Sequence, residues 1–337
     1  MLIRKPLLMA VLAAAVAAPV GLTATPAGAA PSTAPVISAL AGTGQSGYSG
    51  DGGLATLART SAIEDVVRDR RGTTWIADTY NNAVRTVDSR GVISTFVGPE
   101  AGLNFPFDLA LDPRGRLYVA DTYNNRIVRF DAPGAAPVVL LDGLRFPFGV
   151  DVTPDGRVLV ADTFANRVVA LERDGSLTTI ADRSTPVEGV AIRIPYDVTS
   201  SGDAVLIADT GRHRVVHARD GVLTRVAGTG VAGFSGDAGP ADAAQLRSPS
   251  GIDARPNGSF AVADFRNNRV RLVDVRGEIT TIAGNGTAGS SGDSGPATAA
   301  SINIRGGVSL SDDGRTLVLA DTFASRVRSV QGHGPLR

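Results

Sequence analysis

The chain of 337 residues contains no cysteine and only one lysine, Lys5. Without cysteine there are no disulfide bonds, no thiol nucleophile and no cysteine-ligated zinc. Because the lone lysine lies in the N-terminal segment described below, lysine Schiff-base chemistry is excluded from the rest of the chain. The three histidines, His213, His217 and His333, are scattered, which favours surface positions over a zinc site.

The chain also lacks an excess of charge of either sign. Its 33 Lys and Arg residues balance 33 Asp and Glu residues, which gives a net charge of +0 at pH 7 with neutral histidines. Nucleic-acid binding depends on a positive excess that neutralises phosphates. We therefore predict no nucleic-acid partner.

A long apolar run occurs at the N-terminus. Arg4 and Lys5 precede the apolar residues 7–20, and the small residues 27–29 follow. This order is typical of a cleavable signal peptide over residues 1–30, and the run is too short to span a bilayer. With no cysteine to acylate, we expect residues 31–337 to be secreted, without a membrane span, and by default monomeric.

One signature, Ala-Asp followed by a polar turn, recurs six times. Neighbouring copies are separated by 41 to 57 residues, a period that indicates a repeated supersecondary unit. The aspartates of the six copies are Asp78, Asp121, Asp162, Asp209, Asp264 and Asp321.

Each unit contains four short apolar runs bounded by turn residues, as antiparallel strands should be. Six such units predict an all-β fold, a six-bladed β-propeller of four-stranded blades. The last unit lacks a fourth strand, and residues 36–44 (VISALAGTG) match the end of the fifth unit (ITTIAGNG). We therefore predict that this N-terminal strand completes the last blade and closes the ring. The predicted blades lie at about residues 61–98, 104–142, 146–181, 194–228, 248–284 and 302–331.

The recurring Ala-Asp-Thr and Asn-Asn-Arg turns, in register over residues 36–331, resemble the NHL-repeat family of six-bladed propellers. Propellers of this family act as ectodomains of sensor kinases, as protein- or RNA-binding modules, or as a metal-dependent lyase acting on peptidyl-α-hydroxyglycine. The resemblance implies one of these roles. More distant six-bladed propellers hydrolyse lactones. The fold alone does not choose among these activities.

The repeated aspartate has an arginine five residues later in five of the six units. Both residues flank one hairpin corner, where the carboxylate can accept turn N–H bonds while the arginine pairs with it or with the next blade. Because a ligand site needs asymmetry, six near-identical copies favour a structural role over a ring of ligands. The first unit has Ala83 in the arginine position, which puts its corner pairing in doubt.

The start of each first strand varies more between the units. Counting back from the repeated aspartates brings Asp65, Asp108 and Asp197 near the axis, with glycine in the other three units. Three such carboxylates could coordinate Ca²⁺. If the pKa of one of them were raised, they could also act in acid–base chemistry. The alternative is that they are hydrated acids capping strand N–H groups.

Aromatic residues distinguish the two halves of the predicted ring. Phe107, Phe148 and Tyr196 precede the axial positions of blades two to four, and Gly-rich inserts carrying Tyr48 and Phe234 are predicted to wall the opposite half. We predict a groove with an aromatic floor that binds a protein, a peptide or a cell-wall glycan. The alternative function is a metal-assisted hydrolase or lyase at the axial mouth.

Overall fold

The computed structural model describes residues 34–336, so the predicted signal peptide lies outside the described residues. In the described range, no helix has the length and apolar character needed to cross a membrane. The residues form six antiparallel sheets, and the first strands of neighbouring sheets contact one another around a central axis. The predicted all-β, six-bladed propeller is confirmed.

Each blade contains four main strands, numbered outward from the axis. Blade 1 has Ile63–Arg68, Thr74–Asp78, Ala83–Val87 and Ile93–Val97, and blade 2 has Pro106–Leu111, Leu117–Asp121, Arg126–Phe130 and Val138–Leu141. Blade 3 has Pro147–Val152, Val158–Asp162, Arg167–Leu171 and Leu177–Ala181, and blade 4 has Pro195–Ser201, Ala204–Asp209, Arg214–Arg219 and Val222–Ala227. Blade 5 has Pro249–Ala254, Phe260–Asp264, Arg269–Val273 and Glu278–Ala283, with the short Gly239–Pro240 outside them. Blade 6 has Val308–Leu310, Thr316–Asp321, Arg326–Gln331 and Val36–Ala41.

The fourth strand of blade 6 comes from the other end of the chain. Val36–Ala41 pairs antiparallel with Arg326–Gln331, with Ile37 opposite Val330. The predicted closure of the ring is therefore confirmed. Closure pairs the third strand of blade 6, which would otherwise be an open sheet edge, with a strand from the other end of the chain.

The hydrophobic core lies between the blades. Alternate residues of a strand point to opposite faces of its sheet. In blade 4, Val205 and Ile207 pack toward blade 3, whereas Leu206 and Ala208 pack toward blade 5. Six apolar clusters of the described residues fill the six seams in this way. A single blade therefore leaves both faces exposed, which explains why the unit is repeated.

Short 3-10 helices shape one end of the propeller, which we call the upper face. This end bears the turns from second to third strands and the loops between blades. Six of the helices follow the repeated aspartates: Thr79–Asn81, Thr122–Asn124, Thr163–Ala165, Thr210–Arg212, Phe265–Asn267 and Thr322–Ala324. The other four described are Ala55–Leu57, Pro99–Ala101, Ala241–Ala243 and Ala297–Ala299.

Candidate functional site

The six repeated aspartates are fully buried and hold the loops that precede their blades. The Oδ1 of Asp121, for example, accepts the backbone N–H of Asn104 at 2.7 Å. The equivalent bond recurs in all six blades, at 2.6 to 2.8 Å. These contacts support the structural role over a ring of ligands, because the carboxylates are occupied by the fold.

The predicted corner ion pairs form in blades 2, 3 and 4 only. There the Nε of the arginine lies 2.6 to 2.8 Å from the aspartate Oδ2. In blades 5 and 6 the expected arginines, Arg269 and Arg326, donate instead to carbonyl groups of neighbouring loops. Of the two predicted roles, pairing with the aspartate does not occur in these blades, and the arginines instead bind the loops that lead to the next blade.

In blades 1, 5 and 6 a different arginine lies beside the repeated aspartate. It lies seven residues after the repeated aspartate, at Arg85, Arg271 and Arg328, and its side chain is fully buried. Each of these arginines also pairs with the single acid of the Gly-rich insert of its blade, as Arg271 does with Asp237 at 2.8 Å. Blades 2, 3 and 4 have valine at this position and no such insert. Insert and buried arginine are thus one structural unit.

The inserts do not wall the axial mouth as predicted. Each runs outward and hydrogen-bonds to the fourth strand of its own blade, as in the bond from the N–H of Ile93 to the carbonyl of Gly53 at 3.0 Å. The physical reason is the buried arginine, which holds the insert acid and insert carbonyls. The inserts cover the outer edges of three blades and protect them from pairing.

Each of the two insert aromatics packs on an arginine of its own blade, Tyr48 on Arg85 and Phe234 on Arg269. The ring of Tyr48 lies 5.2 Å from the guanidinium of Arg85, and its hydroxyl bonds to Thr95 at 2.8 Å. The ring of Phe234 lies 3.8 Å from the guanidinium of Arg269. Both rings therefore stabilise the insert, and their predicted role in ligand binding stays a prediction.

The other three predicted aromatics meet at the axis. The ring of Phe107 stacks on that of Phe148 at 4.5 Å, and Tyr196 meets them edge-on at 5.3 and 4.7 Å. Phe107 is only 4% exposed, and the space left between the rings and the axial strands is ≈ 10 Å³, room for about one water molecule. The three rings plug the mouth instead of flooring an open groove.

A charged pair covers this plug. Glu64, fully buried, binds the guanidinium of Arg305, with the Nε at 3.0 Å from the carboxylate. That guanidinium lies over Phe107 at 5.7 Å and over Phe323 at 5.2 Å. Cation–π and ionic contacts therefore add to the closure of the mouth.

Below the plug, Asp65, Asp108 and Asp197 do come close to the axis. Each accepts the backbone N–H of the next blade through Oδ2, at 3.0 Å from Leu109, 2.6 Å from Val150 and 2.7 Å from Ile252. The carboxylates thus join blade to blade.

Sequence reasoning missed two further members of this ring, Asp151 and Asp253. Their Oδ2 atoms accept the N–H of Ser200 at 2.7 Å and of Leu310 at 2.6 Å. They belong to the blades with glycine at the predicted axial position, and they lie two residues later on the same strand face. Period-two alternation was therefore the signal that could have found them. The sixth seam uses the Ser309 hydroxyl in the same way.

Burial in the axial channel raises the pKa of all five carboxyls. The pKa of Asp65 rises to about 6 and that of Asp253 to about 7. Burial, followed by the neighbouring carboxyls, raises the pKa of Asp108 well above its usual range. The same holds for Asp197, and burial also raises the pKa of Asp151. The fold therefore favours the protonated, neutral forms of these carboxyls more than water does.

The axial acids do not form a recognisable cation site. Across residues 34–336 there is no group of three or more His, Asp or Glu side chains arranged to hold a metal ion. Each axial carboxylate already accepts a backbone N–H, and the raised pKa values of Asp65 and Asp108 favour their neutral forms, which bind cations poorly. A role of Asp65, Asp108 and Asp197 in binding Ca²⁺ stays a prediction.

The upper face carries exposed aromatics that were not singled out from the sequence. A chain of ring contacts, with centroids 4.4 to 5.6 Å apart, crosses blades 1 to 3. We call it the aromatic arc, formed by Tyr80, Phe105, Tyr123, Phe146 and Phe164. Tyr80 is 61% exposed and Phe164 is 47% exposed. The sequence signal was the aromatic at the second position after the repeated aspartate.

Two members of the aromatic arc have a left-handed backbone conformation. Phe105 and Phe146 have φ of 60° and 50°, which costs of order 1–3 kcal/mol for a residue with a side chain. Their N–H groups are held by the side chains of Asn82 and Asn125 from the preceding blades, at 2.8 and 3.0 Å. Ala62, Ile194 and Ser248 share this backbone, so the repeat fixes the conformation and only the side chain varies.

An open cleft adjoins the arc between blades 2 and 3. Its volume is ≈ 500 Å³, and its lining includes Asn125, Leu144, Arg145, Phe146 and Phe164. The cleft is open to solvent, and its lining residues offer both apolar and polar contacts.

Comparisons with known proteins identify the repeat and the fold. Residues 103–130 match the family described as NHL repeat. None of the curated proteins compared with the chain matches it.

Similar solved structures come from several bacteria. An auxiliary nutrient binding protein from Bacteroides ovatus ATCC 8483 is 17% identical, over 88% of this chain and 76% of that chain, with a TM-score of 0.69. A protein of the same description from Bacteroides thetaiotaomicron VPI-5482 is 15% identical, over 87% and 75%, at 0.66. A catalytically inactive virginiamycin B lyase from Staphylococcus aureus with quinupristin is 14% identical, over 82% of each chain, at 0.55. At these identities the likeness shows the shared fold alone.

Proposed function

We propose that this six-bladed NHL-repeat β-propeller is a secreted recognition module that binds a protein, a peptide or a cell-wall glycan on its upper face. The observation that carries the proposal is the aromatic arc with its adjoining cleft. Contiguous exposed apolar surface on a soluble protein is typical of interaction sites. The structural likeness to proteins described as nutrient-binding is consistent with a binding role.

The arc suits binding because its rings are rigid and already in contact. Aromatic side chains lose little conformational entropy on binding and supply large apolar areas. Their ring contacts hold Tyr123 between Phe105 and Phe146, so the free surface is preorganised. Preorganisation reduces the entropic cost of association.

The alternative, a metal-assisted hydrolase or lyase at the axial mouth, has less support. The space at the mouth is ≈ 10 Å³, and Phe107, Phe148 and Tyr196 stand between it and the upper face. A substrate would have to displace these rings and the Arg305–Glu64 pair to reach the axial carboxyls. The exposed cleft requires no such rearrangement.

The test uses two probes, a phage-displayed random peptide library and purified bacterial peptidoglycan. We expect at least one probe to bind the wild-type chain and to lose at least 10-fold in affinity with the double variant Phe146→Ala, Phe164→Ala. Phe323→Ala is the matched control, because Phe323 occupies the same turn position in blade 6 and is 54% exposed. Binding that survives the double variant, or no binding of either probe, would overturn the proposal.

A further inference from the structure

One hydrogen bond per blade arranges two side-chain positions on the upper face. The residue two after the repeated aspartate donates its N–H to a carbonyl of the loop that precedes the blade. The twelve residues form what we call the upper ring. Their pairs are Tyr80 with Ser61, Tyr123 with Asn104, Phe164 with Arg145, Gly211 with Arg193, Arg266 with Arg247 and Phe323 with Asn303, at 2.9 to 3.4 Å.

The upper ring divides by chemistry around the axis. Blades 1, 2 and 6 combine an aromatic with Ser or Asn, and blade 3 combines Phe164 with Arg145. Blades 4 and 5 contribute Arg193, Arg247 and Arg266, and Arg212 follows directly after Gly211. None of the twelve residues is Asp or Glu. One side is therefore aromatic and the other basic, and Arg145 lies where they meet.

In the described part of the chain these five arginines form no salt bridge, although the charge of Arg212 partly opposes the rise in the pKa of Asp209 that burial causes. Throughout residues 34–336, none of Arg145, Arg193, Arg212, Arg247 and Arg266 forms a salt bridge, whereas the corner arginines do. The Nε of Arg212 donates only to a backbone carbonyl, that of Ala191 at 3.2 Å. Several arginines without salt bridges on neighbouring blades, in a chain of zero net charge, indicate a surface that attracts anions.

Asp142, Asp182 and Asp242 lie on the loops before blades 3, 4 and 5, and none of them forms a salt bridge with the five arginines. His213 lies within the basic side, where its Nδ1 accepts the N–H of Ser248 at 3.1 Å. Burial first, and then Arg247 and Arg266, lower the pKa of His213, which shows that positive charge is concentrated there. Glu188, on the loop before blade 4, is itself paired with Arg225 at 3.1 Å.

We propose that the upper face binds an acidic peptide, whose carboxylates pair with the arginines of blades 3 to 5 and whose apolar side chain enters the cleft beside Phe146. The proposal rests on the proposed recognition function and names its ligand. Arginine is suited to carboxylates because its planar guanidinium donates two parallel hydrogen bonds. Arg145 lines the cleft, so the ionic and apolar contacts are adjacent.

The ring geometry favours a peptide over a glycan. Sugars bind aromatic residues through free ring faces, but Phe105 and Tyr123 stack on each other with an interplanar angle of 6°. Phe146 meets Tyr123 and Phe164 edge-on, at 79° and 80°. The stacked contact occupies one face of Phe105 and of Tyr123, which leaves fewer ring faces for a sugar. The cleft of ≈ 500 Å³ can take an apolar side chain instead.

The test is selection of peptides from a random phage-displayed library on the wild-type chain, followed by binding measurements with the most enriched peptide. We expect enrichment of Asp and Glu next to an aliphatic or aromatic residue. The variant Arg193→Asn, Arg247→Asn should bind at least 10-fold more weakly and depend less on salt concentration. Asparagine already occupies the same position at Asn104 and Asn303, so the fold should be preserved.

The matched control removes the same charge from the opposite end of the propeller. Arg173 and Arg276 lie on exposed turns between third and fourth strands, and the variant Arg173→Asn, Arg276→Asn should bind like wild type. Equal weakening by both double variants would show a nonspecific effect of net charge and overturn the proposal.

Failure of this inference is distinguishable from failure of the proposed function. If the selected peptides lack acidic residues and bind the arginine variant normally, yet need Phe146 and Phe164, the acidic-peptide proposal is overturned and recognition stands. If peptidoglycan binds and no peptide is selected, the ligand is a glycan and the acidic-peptide proposal is again overturned. If neither probe binds, both proposals fail.

Discussion

The replacement Asp253→Asn tests the electrostatic cost of the axial ring. Asp253 is surrounded by protein and lies near the carboxyls of Asp151 and Asp65, and together these effects raise its pKa from 3.8 to about 7, burial contributing most. The Asn Oδ1 can still accept the N–H of Leu310, which Asp253 accepts at 2.6 Å. The variant therefore mimics the protonated aspartate and removes its titration.

The sign follows from proton binding. Between pH 3.8 and about 7 the folded state holds a proton on Asp253 that the unfolded state has released. The stability contributed by this proton is complete below the unfolded-state pKa and is lost as the pH rises through the folded-state pKa. The two pKa values correspond to about 4 kcal/mol of lost stability at pH 8.

The assay compares thermal and urea unfolding of wild type and Asp253→Asn from pH 4 to pH 8 at constant ionic strength. The variant should gain about 4 kcal/mol relative to wild type between these limits, or roughly 6 °C in Tm. Asp242→Asn is the control, because Asp242 is exposed, and it should show no such trend. A difference between wild type and Asp253→Asn that stays constant from pH 4 to pH 8 would refute the reasoning.

Two further predictions concern the structural units described above. Arg271→Met should lower the free energy of unfolding by about 3–5 kcal/mol in urea titrations, because it leaves the buried Asp264 without its charge partner. A loss below about 1 kcal/mol would contradict a structural role for the insert pair. Gly307→Ala should cost about 1–3 kcal/mol, since its Cβ would lie 1.4 Å from the Oδ1 of Asp65. Gly334→Ala, which meets nothing within 4 Å, is its control, and equal melting of the two variants would disprove the close approach.

The fold was predictable because each of its determinants is local and repeated. The sixfold aspartate gave the number of blades, and the match between residues 36–44 and the fifth unit gave the closure. The axial aspartates were reached by counting along strands. Counting did not reveal that, in the blades with Gly149 and Gly251 at the axial position, the aspartate lies two residues later on the same strand face. Each seam needs one acceptor, and either position can supply it.

The site was less predictable for physical reasons. Phe107, Phe148 and Tyr196 were expected to form an open floor, but three large rings directed at one axis fill the space between them. Net charge likewise could not reveal the basic side of the upper ring. Arginines separated by up to 121 residues in the sequence, from Arg145 to Arg266, meet only in the fold.

In the upper ring, folding depends on the backbone atoms, whereas the side chains are open to selection by a ligand. The hydrogen bond that arranges each pair uses backbone atoms alone, so it forms equally for Tyr80, Gly211 and Arg266. The corner aspartate likewise binds a backbone N–H and places no demand on the side chain at that position. Tyrosine, phenylalanine and arginine all fit this backbone arrangement, whereas a Cβ at Gly211 would lie 2.6 Å from the carbonyl oxygen of Arg193. Because folding does not explain aromatic residues in blades 1 to 3 and unpaired arginines in blades 4 and 5, recognition of an apolar, anionic ligand is the reason we infer for both.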